Sequence, residues 1–127
     1  DTLSLHDALP ILAIFEKTLG PDHPHVAYPV TGLANVALAQ IRLADAVALA
    51  ERAVRVREVG NAPSEQLALS RFVLTQALWD VPVGQGRDRN RAFVLAQQAR
   101  DAFREVKGMD KELAEVEAFL AKHGGEP

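Results

Sequence analysis

The stretch Val26–Glu58, VAYPVTGLANVALAQIRLADAVALAERAVRVRE, decides the fold. From Val26 to Gln40, one helical stripe runs through Leu33, Ala37 and Gln40, and a second runs through Val30, Ala34 and Leu38. Two adjacent stripes predict a helix packed on two sides. Pro29 fits that helix only in its first turn, where a missing backbone donor costs nothing. After the turn Gln40-Ile41-Arg42-Leu43, a second helix is expected to Glu58, with Val47, Ala50, Ala53 and Val54 inward and Glu51, Arg52 and Arg55 outward. Glu51 and Arg55 stand in the favourable i,i+4 order. Ile41 is the awkward residue: a β-branched side chain resists positive φ, so the turn is either right-handed or strained by about a kcal/mol.

Working outward, the pattern recurs. Moving along by 41 residues carries Val26 onto Leu67, Leu33 onto Leu74 and Ala37 onto Leu78, while Ala46 finds its match at Ala92, 46 residues on. The second copy is therefore expected at 64–106, with Ser64 as N-cap of a helix to about Asp80 and about five extra residues in the loop 80–86. Its second helix, from about Arg87 to Val106, turns Ala92, Leu95, Ala96, Ala99 and Phe103 inward, and Gly108 closes it. Asp110 is expected to cap a last helix, Lys111–His123, with Leu113, Val116 and Leu120 on one side and Glu112, Glu115 and Glu117 towards water. Upstream, Leu12, Ile14, Phe15 and Leu19 have helical spacing, and Gly20-Pro21 supplies a left-handed cap and a helix stop. In the linker, Asp22 and His23 are caps and Pro24 a first-turn residue.

Leu33, Ala34, Ala37, Ala46, Ala50 and Ala53 lie where tetratricopeptide repeats keep small or apolar packing residues, and GPDHPHVA resembles the linker of the long, kinesin-light-chain-like members of that family. The resemblance covers about Leu12 to His123. It implies an all-α fold of antiparallel helix-turn-helix repeats stacked as a short right-handed solenoid: a half repeat at 12–20, repeats at 26–58 and 64–106, and a capping helix at 111–123 within one domain, 12–127. The chain departs from the family at position 41, where a glycine is usual. Asp1–Ile11, DTLSLHDALPI, resembles a translated sequencing adapter, so it is set aside as a non-native leader and the natural chain is expected to begin further upstream. Otherwise, it is an ordinary helix start that Pro10 would break.

Composition narrows the function classes. With 127 residues the chain is one domain or part of one. A 48% hydrophobic but only 6% aromatic composition favours closely spaced helices over a core of large side chains. A net charge of −3 and a pI near 5.8 argue against binding nucleic acid through phosphate neutralisation. There is no cysteine, which excludes disulfide and thiol chemistry. No apolar run approaches the roughly 20 residues a membrane span needs, and a cytoplasmic location is expected.

No residue set argues for catalysis. His23 and His25 lie beside Asp22 but lack further ligands at metal-site spacing, so no metal or other cofactor is expected. Ser4, Ser64 and Ser70 lack a nucleophile-elbow pattern, and Gly84-Gln85-Gly86 and Gly124-Gly125 lack the context of a phosphate loop. The acidic residues read as solvated helix faces. The basic run GRDRNRA at 86–92 reads as a helix start, with a phosphate or acidic-peptide contact as the alternative.

Tetratricopeptide arrays hold a peptide or partner helix in a groove lined by the first helix of each repeat. The resemblance therefore implies groove positions Tyr28, Thr31, Asn35 and Leu38, then Leu69, Phe72, Gln76 and Trp79. Asn35 and Gln76 hold equivalent places for bonding a peptide backbone. For Phe72 and Trp79 the favoured reading is as plugs between helices, with an aromatic anchor for a ligand as the alternative. The repeats also resemble those that follow the kinase domain in bacterial serine/threonine kinases. The expectation is a non-catalytic, protein-binding module from the C-terminal part of a longer bacterial signalling protein, with no nucleic-acid partner and no membrane insertion. The alternative is a structural segment that packs intramolecularly or self-associates, any enzymatic activity residing in an upstream kinase domain.

Overall fold

The computed structural model describes residues 5–124. Six α-helices account for most of them: α1 (Leu5–Leu19), α2 (Ala27–Ala39), α3 (Leu43–Val59), α4 (Ser64–Asp80), α5 (Arg89–Glu105) and α6 (Asp110–His123), with a short 3-10 turn, Pro24–Val26, leading into α2. No strand occurs among the described residues, so the fold is all-α. Residues 1–4 of the leader, Ser4 among them, and Gly125 to Pro127 lie outside the described residues.

Each helix packs on its neighbours in sequence, and α2 also meets α4. The apolar stripes explain this. Leu12 of α1 joins Val26, Val30 and Leu33 against Ala53 and Val56 of α3. Ala34, Ala50 and Val54 meet Leu74, Leu78 and Leu95 in the centre. Ala68, Ala96, Ala99 and Phe103 close the other end with Val116 and Leu120. Ala37, Ala46 and Ala77 fill the gap beside the α2–α3 turn, where only a methyl group fits between backbones.

The buried residues keep the sequence register. Shifting α3 by 46 residues reproduces the bounds of α5 (43 to 89, 59 to 105), and Ala46, Ala50 and Ala53 fall on the equally buried Ala92, Ala96 and Ala99. One position breaks the chemistry but not the burial: Arg57, 3% exposed, corresponds to Phe103, 2% exposed.

The helix ends show where local rules hold. Pro29 occupies the first turn of α2, and Pro24 opens the 3-10 turn, whose N-cap His23 accepts through Nδ1 from the His25 amide at 3.1 Å. Ile41 adopts φ 58°, the left-handed alternative of the expected turn. There the Ile41 and Arg42 amides donate to the Leu38 and Ala37 carbonyls at 3.0 and 2.8 Å, the paired bonds that close a helix C-terminus through a left-handed residue. Asn61, φ 51°, repeats the motif after α3.

Several expectations need correcting. Pro10 does not interrupt a helix start; it lies inside α1, beyond the first turn. Ser64 is the first residue of α4 rather than its cap, and Asp110 likewise opens α6. Instead, Asp88 caps α5 by accepting from the Arg91 amide at 3.0 Å. Arg52 is part-buried and pairs with Glu16 of α1, and Glu51 turns to Arg91 of α5 rather than to Arg55.

Candidate docking face

Three helices share one side of the molecule. Thr31 Oγ1 of α2 lies 3.3 Å from Ser70 Oγ of α4, and Gln66 Nε2 of α4 donates to Tyr28 Oη at 2.6 Å. Further along, Phe119 of α6 meets Phe72 and Trp79 of α4 edge-on, at centroid distances of 6.1 and 5.4 Å. These contacts line up α2, α4 and α6.

At the C-terminal ends of these helices a cleft of about 570 Å3 opens, lined by Leu38, Ile41, Gln76, Trp79, Phe119 and Lys122 among others. Trp79, 8% exposed, forms part of its floor and is packed against neighbouring side chains. The Arg89 guanidinium stacks 4.7 Å from its ring, and His123 packs at 4.1 Å. Arg89 Nε donates to the Trp79 carbonyl at 3.1 Å and Arg87 Nε to the Val81 carbonyl at 2.9 Å. The basic run 86–92 thus fastens the long loop to α4, and its Arg91 reaches α3, donating to Glu51 at 2.5 and 2.7 Å. That pair holds the Arg91 guanidinium above its ordinary pKa, chiefly through the hydrogen bonds to Glu51.

The groove positions implied by the repeat register divide into three groups and one residue that stands apart. Leu38, Gln76 and Trp79 come together in the cleft. Leu69 and Phe72 are part-buried against the α4–α5–α6 core, where Phe72 acts as packing. Tyr28 and Thr31 lie at the other end of α2, over Ser70 and Gln66. Asn35 is exposed and stands outside the cleft that its counterpart Gln76 lines.

Beneath Tyr28 lies a residue that the sequence reading passed over. Arg57 is buried, and its Nη1 donates to the Gln66 carbonyl and to Ser70 Oγ, each at 2.7 Å. Its guanidinium carbon stands 5.1 Å from the centre of the Tyr28 ring. Burial pushes the guanidinium pKa down, and the neighbouring Tyr28 works weakly the other way. The available signal was its spacing: Arg57 continues the inward stripe of Ala50, Ala53 and Val54, and its 46-residue counterpart is the apolar Phe103.

Among the described residues, no three His, Cys, Asp or Glu side chains gather into a metal-binding group, and no helix is long and apolar enough to cross a membrane. Comparison with protein-family models, curated proteins and solved structures finds no match to this chain.

Proposed function

We propose that the chain is a non-catalytic, tetratricopeptide-like interaction module that holds a peptide or partner helix along the α2–α4–α6 face. The observation that carries this reading is the cleft in which Leu38, Gln76 and Trp79, from two successive repeats, meet Phe119. Apolar walls with an amide at the rim suit a side chain of the partner entering and its backbone bonding alongside. The aromatic floor is fixed before binding, so little ordering entropy opposes association. Service to a bacterial kinase or related signalling chain in the cytoplasm is the setting the repeat style suggests.

Selection of displayed peptides on the purified domain tests this reading. Selected peptides should lose tenfold or more in affinity with Leu38→Asp or Gln76→Ala and keep it with Val59→Asp, which lies on the exposed end of α3. Equal losses from both faces, or no selected peptide, would overturn it.

A second reading has its own support. On α1, past the leader, Ile14 and Leu19 are 64% and 37% exposed and, with Phe15 and Thr18, line one apolar surface suited to packing against another part of a longer chain or a second copy. Light scattering decides about self-association: a monomer at high micromolar concentration speaks against it, and a dimer dispersed by Ile14→Ser supports it.

A further inference from the structure

The geometry points to Arg57 as a receptor for one carboxylate side chain, an aspartate or glutamate of the partner lying on the α2–α4 face. The inference rests on the docking-face reading and adds the chemistry of one subsite. A guanidinium carries five N–H donors in a planar fork. Nη1 supplies both of the bonds Arg57 makes, to the Gln66 carbonyl and Ser70 Oγ. The Nε–Nη2 edge donates to no group among the described residues, and neither atom is sealed from solvent. Among the described residues no carboxylate pairs with Arg57.

The neighbouring arginines differ in this respect. Arg91 has Glu51, Arg52 has Glu16, Arg71 has Glu58 and Arg104 has Glu117, all less buried than Arg57. Among these five arginines the most buried is the one without a counter-charge. A buried charge of this kind gains most from an incoming anion, because little water solvates it.

The free edge selects the ligand class. Two parallel N–H groups match the two oxygens of a carboxylate, and one cation balances one negative charge. A phosphate dianion would need a second cation, and nearby Arg71 is committed to Glu58. Depth selects the source. Tyr28, 48% exposed, roofs a guanidinium only 3% exposed, so the approach suits a slender side chain rather than a chain terminus with its attached backbone. Tyr28 itself is positioned for this by the bond from Gln66 and would close over the pair.

The test uses the intact chain labelled with nitrogen-15, following the Arg57 Nε–Hε resonance and, as reporters that the double variant keeps, the Tyr28 and Gln66 backbone amides during addition of capped glutamate (N-acetyl, C-methylamide). Saturable perturbation with a dissociation constant of order 1 mM is expected, absent with capped glutamine and absent in Arg57→Phe/Ser70→Val, which copies the second repeat. No saturable change, or the same change with capped glutamine or in the double variant, would overturn the proposal. So would equal or tighter binding of N-acetylglycine, a terminal carboxylate, or of inorganic phosphate. Because the probe is one capped residue, its binding is scored independently of whether the cleft around Trp79 takes a partner.

Discussion

Arg57 of α3 and Phe103 of α5, 46 residues apart, are matched in burial, and their partners change together: Ser70 beside Arg57 becomes Val116 beside Phe103, again displaced by 46 residues. The α3–α4 junction is polar here where the α5–α6 junction is apolar. Burying a charge without a counterion opposes stability, so its presence needs a reason beyond packing.

Replacing the polar pair should therefore be harmless where truncating it is not. Arg57→Phe/Ser70→Val is expected to fall within about 1 kcal/mol of the parent, or above it, because it substitutes a packed apolar pair for a desolvated cation. Arg57→Ala should cost about 2–4 kcal/mol through the cavity it leaves and the lost bond to Ser70. Urea unfolding of the two variants checks the contrast. Equal losses would mean that the two sites are not interchangeable.

Glu51 and Arg91 bind α3 to α5 across 40 residues of sequence through two parallel hydrogen bonds. Both side chains are partly exposed, so solvent screens most of the attraction. A double-mutant cycle with Glu51→Gln and Arg91→Gln should give a coupling of about 0.5–1 kcal/mol at low salt, shrinking in 0.5 M NaCl as counterions screen the pair. A coupling unaffected by salt would contradict an exposed electrostatic origin.

The helices were legible because burial in this chain follows simple periodicity: Ala46, Ala50 and Ala53 announce both α3 and, through Ala92, Ala96 and Ala99, α5. The cleft was legible only in part. Leu38, Gln76 and Trp79 follow from the repeat offset, whereas Ile41 and Phe119 enter through a turn conformation and a helix-helix approach that no local pattern encodes. Arg57 was obscured by its charge, which normally marks a solvated face. The run 86–92 was legible as a helix start, but its net basic composition hid the cap that Asp88 places on α5. Glu51 had two arginines within reach, and tertiary packing rather than helical spacing chose Arg91.

Gly60 is needed for space. Its φ of −84° suits any residue, yet a β-carbon there would lie 2.2 Å from Pro24 Cγ and 3.1 Å from the Val56 carbonyl oxygen. Proline cannot swing aside as a flexible side chain would. Gly60→Ala is expected to lower stability by about 1–3 kcal/mol, with partial recovery in Pro24→Ala/Gly60→Ala, measured by thermal or urea unfolding. An alanine variant as stable as the parent would show that the end of α3 and the 3-10 turn separate without cost.

Ile41 presents the opposite case, space without conformational freedom. Its side chain is 77% exposed and contributes little burial, but its backbone holds φ 58°, which a β-branched residue adopts at a cost of about 1–2 kcal/mol. Ile41→Gly removes that strain and gives back part of the gain as unfolded-chain entropy, leaving an expected net stabilisation of about 0.5–1 kcal/mol. The same side chain lines the cleft beside Leu38 and Trp79. If the cleft is a docking site, Ile41→Gly should be more stable and bind selected peptides more weakly, while Ile41→Val should keep most of both properties. A glycine variant that gains stability without losing affinity would remove Ile41 from the docking surface, and one that gains no stability would show that the turn carries no strain worth relieving.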